Sequence, residues 1–169
     1  MKDTTPIYFH SATYAHEHGE LDQYHASHKA NVACREAIEQ AIADNYRDNR
    51  LDPACVQQVL QQFDYGRIFY VLANTVRQKD HDGRISRDNK AWAQTVPVCE
   101  DKDGFGYDQS VYFVVDRCNP GLTDLFLSQA RRECAPAQEQ KPSVRDSLNK
   151  NAGQPAHSDR TKAKKEPER

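Results

Sequence analysis

Between Arg67 and Val76 the chain reads Arg-Ile-Phe-Tyr-Val-Leu-Ala-Asn-Thr-Val, an apolar run that the rest of the protein has to cover. A bilayer-spanning helix needs roughly 20 residues, so protein and not lipid must do the covering. Periodicity does not separate a buried helix from a buried strand in so short a run; a helix is the favoured reading. The covering elements come from both sides. Upstream, a long helix starts within Gly19–Tyr24 and runs to about Tyr46, with Leu21, Val32, Ile38 and Ile42 as apolar positions. Ala30, Ala33, Ala37, Ala41 and Ala43 raise its propensity and permit close packing. Asp52-Pro53 supplies an N-cap and a first-turn proline for a second helix, on which Cys55, Val56, Val59, Leu60 and Phe63 recur at helical spacing. Downstream, Asp80–Arg84 is a turn, and Ser86 with Asp88 or Asn89 caps a short helix that carries Trp92 and stops at Pro97. Asn119-Pro120-Gly121 leads into a last helix from about Leu122 to Arg132, with Leu122, Leu125 and Phe126 facing inward.

The clearest strand signal is Ser110-Val-Tyr-Phe-Val-Val-Asp116, rich in β-branched and aromatic residues. One strand cannot stand alone, so Val96-Pro97-Val98 and Ile7-Tyr8-Phe9 are its expected partners. The fold class that follows is α+β, mainly α: four to five helices packed with a small antiparallel sheet, in one globular domain over residues 7–133. Residues 134–169 are expected to form a disordered basic tail. From Ala135 onward only Val144 and Leu148 are large and apolar, too little to offset the entropy of ordering. That stretch carries eight Lys and Arg against five Asp and Glu, which leaves 15 against 20 in the folded part. An acidic folded part argues against a broad duplex-DNA surface, because phosphate binding needs clustered cations. Nucleic-acid contact is at most a weak role of the tail, where Asp146, Asp159, Glu166 and Glu168 dilute the cations and a solvated linker is preferred.

With no run of membrane length and no apolar leader after Met1, a cytoplasmic protein without membrane contact is expected. Cys34, Cys55, Cys99, Cys118 and Cys134 are widely spaced and read as reduced thiols. Five of the seven histidines fall within the first 28 residues: His10, His16, His18, His25 and His28. His25 and His28 can share a helix face, and Glu20 or His16-Glu17-His18 could add ligands. No second motif completes a shell, so they remain weak candidates and no metal or other cofactor is assigned. Asp80-His81-Asp82-Gly83-Arg84-Ile85 is similar to the middle of a calcium loop, yet Gln78 and Asn89 fall where the end ligands belong. A capped turn is the better reading. Asp101–Gly106 lacks the glycine spacing of a dinucleotide site, and Cys34 near His25 and His28 reads as a packing residue.

Polar residues set among apolar ones carry more information. Tyr24, Ser27 and Asn31 in the first helix, Arg67 and Asn74 around the apolar run, and Arg84, Asn89, Lys90 and Trp92 beyond it are the candidate binding-cleft residues. A buried polar group without a partner costs about 1–3 kcal/mol. These residues therefore form either a structural network, the preferred reading, or a polar cleft walled by Trp92.

The same residues carry a resemblance. His18-Gly-Glu-Leu21, Tyr24-x-x-Ser27-x-x-x-Asn31-x-x-Cys34-x-x-Ala37-Ile38, Arg67–Val76, Asp82-Gly-Arg-Ile-Ser86, Asn89-Lys-x-Trp92-Ala93 and Asn119-Pro-Gly-Leu122 resemble a domain family of unknown function encoded by gut Firmicutes, largely on conjugative and other mobile elements. The resemblance spans about residues 8–133. It departs from the family pattern at Arg117-Cys118, where Ser-His is commoner. The resemblance implies a setting and no reaction: a transfer accessory or an inhibitor of restriction or CRISPR nucleases, with a protein partner from the element or the host defence. A non-enzymatic binding or regulatory domain is thus the leading expectation. The alternative is an enzyme or small-ligand domain using a cleft around Tyr24, Asn31, Arg67, Asn74, Asn89 and Trp92.

Overall fold

Arg67–Val76 folds as the body of a helix, Tyr65–Gln78, in the computed structural model, which describes residues 1–99 and 109–135. A buried helix satisfies its own backbone, whereas a buried central strand would need strands on both sides. Among the described residues six α-helices form: α1 (Ala12–Glu17), α2 (Leu21–Asn45), α3 (Ala54–Leu60), α4 (Tyr65–Gln78), α5 (Arg87–Thr95) and α6 (Pro120–Cys134). This is one helix more than the four to five expected. The addition is α1, two turns capped by Ser11, whose Oγ accepts from Tyr14 N at 3.2 Å; it is too short and too polar to show a period.

The molecule is mainly helical with a small two-stranded antiparallel sheet, as expected, but the strands are others. β1 (Tyr46–Arg47) pairs with β2 (Arg50–Leu51). Asp48 and Asn49 turn the chain between them at φ of 53° and 61°. Both are left-handed, as a tight hairpin turn requires, and Asp and Asn tolerate that region better than other non-glycine residues. Ser110–Asp116 is not a strand: Gln109–Phe113 is a 3₁₀ turn and irregular chain follows. Ile7–Phe9 and Val96–Val98 are irregular too.

Side chains stand in for the missing strand partner. Val115 N donates to Thr75 Oγ1 at 3.1 Å, Asp116 N to Glu39 Oε1 at 3.1 Å, and Tyr112 O accepts from Arg35 at 2.8 Å. The β-branched content of the run reflects burial, not pairing: Phe113 and Val115 lie in the core.

α4 is the centre. Ile68, Val71, Leu72 and Ala73 are fully buried. α2 and α5 pack along α4, the 3₁₀ turn lies against it, and α6 bridges α2, α3 and α5. On α6, Phe126, Leu127 and Ala130 face the core; Leu122 is only partly covered, and Leu125, expected inside, is 48 % exposed. Its buried face is Thr123, Phe126, Leu127 and Ala130, which places Leu125 on the outer side.

The N-terminal residues are docked as well: Asp3 N donates to Gln62 O at 2.7 Å. No helix among the described residues is long and apolar enough to cross a membrane. The loop from Glu100 and the tail, with Val144, Leu148 and its expected disorder, lie outside the described residues.

Replacing Thr75 by Val keeps the volume and removes the acceptor for the buried Val115 N–H. The variant should lose about 1–3 kcal/mol of stability, read as a lower urea midpoint at unchanged slope.

Candidate functional site

Among the described residues the nine candidates do not gather in one place; four of them divide between two hydrogen-bond networks, with Trp92 beside the second. The first is centred on Arg67, only 3 % exposed at the start of α4. Its guanidinium donates to Ser27 Oγ at 3.1 Å, to Ser27 O at 3.2 Å, to Asn31 Oδ1 and to Thr5 O at 2.6 Å. Ser27 Oγ in turn accepts from Tyr8 N at 2.9 Å. Burial lowers the Arg67 pKa, and Asp3 opposes that shift. The network ties the N-terminal segment to α2 and α4.

The second network joins α5 to α6. Asn89, 1 % exposed, donates to Asp124 Oδ1 at 2.7 Å and Ser128 Oγ at 3.0 Å, and accepts from Arg131 at 2.8 Å. Ser86 caps α5, with its Oγ accepting from Asn89 N, and donates to Asp124 through that hydroxyl and its own backbone N–H. Arg131 also pairs with Asp88 at 2.7 Å and stands 5.5 Å from the Trp92 ring centre, which makes Trp92 a platform for a cation of the chain itself.

The remaining candidates lie apart. Asn74 donates back to Tyr70 O at 2.7 Å. Arg84 lies on the surface, where Asp82 accepts from its backbone N–H at 2.9 Å and its side chain at 2.8 and 3.0 Å. Those bonds hold the Asp82 carboxyl well below the usual range, and the segment is a capped turn. Lys90 is partly exposed on α5. Three clefts among the described residues, of about 760, 550 and 510 Å3, are lined by other side chains.

Tyr24 belongs to an arrangement that the sequence reading did not foresee. His18, Tyr14 and His10 stack at 3.8 and 4.0 Å between ring centres. His10 meets Tyr8 at 5.7 Å, Tyr8 meets Tyr24 at 6.1 Å, Tyr24 stacks on His28 at 6.2 Å, and His28 meets Tyr112 at 6.0 Å. Seven rings thus form a ladder across the N-terminal segment, α1, α2 and the 3₁₀ turn. The spacing of His10, Tyr14 and His18 by four residues was the available signal, since such positions share a helix face. Partial burial and a 2.7 Å hydrogen bond to Glu20 push the Tyr8 hydroxyl up to about 12.

The weak metal candidates are part of this ladder. His25 lies 5.4 Å from the Tyr24 ring; among the described residues no group of three or more His, Cys, Asp or Glu side chains could hold a metal ion. Cys34 is fully buried, and burial pushes its thiol far up, so it packs and does not pair with a histidine as a nucleophile.

Two predictions follow from these contacts. Arg67→Ala leaves Asn31 and Thr5 without their donor and should cost about 3 kcal/mol or more, whereas Arg84→Ala at the surface should stay within about 0.5 kcal/mol in the same denaturation experiment. His28 is held below its ordinary value of 6.5 by burial and then by His25. A base depressed in the folded state contributes stability above its unfolded pKa that is lost as pH falls below it. Wild type should therefore weaken relative to His28→Gln as pH drops from about 7 to about 5, read from urea midpoints.

Comparison with known proteins gives a family and no activity. No curated protein and no solved structure matches the chain. Residues 7–135, which include the ring ladder, the second network and all of the first but its Thr5 contact, match the family described as "Protein of unknown function (DUF3849)", and the chain belongs to that family.

Proposed function

We propose that the domain is a non-enzymatic binding module whose ring-bearing face takes up a protein partner. The observation that carries this reading is the ladder from His18 to Tyr112, whose last ring is 48 % exposed, together with the exposed Phe9 and Val111 at 43 % and 51 %. Phe9 reaches the same region through Tyr70, at 5.6 Å, and Tyr70 stacks on Phe113. Protein interfaces are enriched in aromatic side chains and poor in lysine at their centres. Rings already ordered against one another lose little further freedom on binding. Glu17, Glu20 and Asp22 lie along the same segment, which disfavours a phosphate backbone as the partner.

The resemblance to domains of mobile elements suggests the partner: a protein of such an element, or a cytoplasmic restriction or CRISPR nuclease that the domain would inhibit. The alternative, an enzyme or small-ligand domain built on Tyr24, Asn31, Arg67, Asn74, Asn89 and Trp92, has less support. Arg67 and Asn89 direct their donors at other groups of the protein, and Trp92 faces Arg131.

The test uses full-length wild type and a Phe9→Glu, Tyr112→Glu variant as baits in lysate of a host that carries both nuclease types. Both positions are near half exposed, so the variant should stay folded, within about 1 kcal/mol of wild type. Wild type is expected to retain a nuclease that the variant does not. Equal retention by both, or by neither, would sink the proposal.

A further inference from the structure

Among the described residues, Glu39 is the buried carboxylate whose hydrogen bonding is incomplete. The residue is 8 % exposed in the middle of α2. Its Oε1 accepts from Asp116 N at 3.1 Å and Arg117 N at 3.3 Å, while Oε2 accepts from nothing. Arg117 Nε stands 3.6 Å from Oε2, too far for a hydrogen bond, on a side chain that is 77 % exposed. Arg35 Nε lies 4.0 Å from Oε1 and is also unpartnered. A buried carboxylate oxygen without a donor is costly, and each such group asks for an explanation.

Glu39 lines two clefts. In the smaller, of about 550 Å3, the other charges are already matched: Lys79 pairs with Asp116 at 2.5 Å and Asp82 with Arg84 at 2.8 Å. The larger, about 760 Å3, lies between α2, Tyr46 and the start of α6. It adds a second carboxylate, Glu36, which is 56 % exposed at its side chain and meets Arg35 at 3.3 Å. Ile42, Ala43 and Leu122 give it an apolar part, and Tyr46, 39 % exposed, also lines it.

We propose that this cleft binds a guanidinium group on an aliphatic stem. Once Arg117 has moved, the flat donor edge takes the buried, unbonded Glu39 oxygen, with Glu36 beside it, and the stem lies along Ile42, Ala43 and Leu122. The chain itself already brings a guanidinium to this place, but Arg117 arrives too far away to bond and is largely in solvent. A ligand takes that position as Arg117 swings out. An ammonium suits the cleft less well, because it is a compact and strongly hydrated charge, whereas a guanidinium is weakly hydrated and pairs edge-on with carboxylates. The group could arrive as a free guanidine or as an arginine side chain of another protein.

The experiment is an amide NMR titration of the full-length chain with butylguanidinium, butylammonium and an end-capped Ala-Arg-Ala tripeptide. Saturable shifts at Glu39, Ala43 and Leu122 are expected with butylguanidinium and weaker ones with butylammonium. Glu39→Gln should weaken binding about tenfold or more, the worth of one charge-assisted hydrogen bond. Arg117→Ala, which removes the competing guanidinium, should tighten it. Stronger binding of the tripeptide than of butylguanidinium assigns the site to a protein's arginine; the reverse assigns it to a free guanidine. The proposal is overturned by absence of saturable shifts in both wild type and Arg117→Ala, by equal binding of the two butyl cations, or by unchanged binding in Glu39→Gln. Should Glu39→Gln fail to fold, the Arg117→Ala and butylammonium comparisons decide.

Discussion

A helix buried around nearly all of its circumference cannot carry a polar side chain without dictating what lies against it. α4 is such a helix, with Arg67, Ile68 and every residue from Tyr70 to Val76 buried. Its polar residues come at intervals, and each fixes a different neighbour. Arg67 holds α2 and the N-terminal segment, and Thr75 takes the backbone of Val115. Arg77 reaches the last turn of α5 through Ala93 O and Val96 O, both at 3.2 Å, and Gln78 reaches Ser110. The apolar side chains supply most of the driving force for collapse. The polar ones select which collapsed arrangement is acceptable, because a shift of one element would strand a buried donor or acceptor.

α3 and α5 were legible because each was signalled twice, by apolar residues at helical spacing and by a cap, whereas α2 was read from its apolar and alanine positions alone. Ser86 and Asp64 cap their helices through N–H groups three residues on, and Asp52 Oδ1 accepts from Ala54 N at 2.9 Å at the start of α3. The strand reading of Ser110–Asp116 failed for a specific reason. Val, Tyr and Phe report that a segment is half buried, and they report nothing about what receives its backbone hydrogen bonds. In this fold Thr75, Glu39 and Arg35 receive or supply them, from 35 or more residues away, and no local pattern announces that. The hairpin that does form is two residues a side, too short for alternation to register, although Asp48-Asn49 was a usable turn signal.

The polar residues stood out in the sequence, yet what they do depends on geometry that a single sequence does not contain. Arg67 lies with Ser27 and Asn31, and Asn89 with Arg131 beside Trp92, in two separate groups where the sequence had suggested one. Their donors are directed inward by partners, Thr5, Asp124, Ser128 and Arg131, that carried no signal of their own. Glu39 was invisible for the opposite reason. On a helix with charged residues throughout, nothing marks one glutamate as the one that packing removes from water.

The docking of the N-terminal segment has a mechanical side. Asp3 is bonded to Gln62, Thr5 to Arg67 and Tyr8 to Ser27. These bonds fasten one short stretch to two helices and to the end of a third, and Arg67 and Ser27 are themselves tied together. Tension applied at Met1 would therefore load several bonds side by side at the junction of α2 and α4, and would not peel them one at a time from the surface. A pull on that end would be felt first in the middle of the protein.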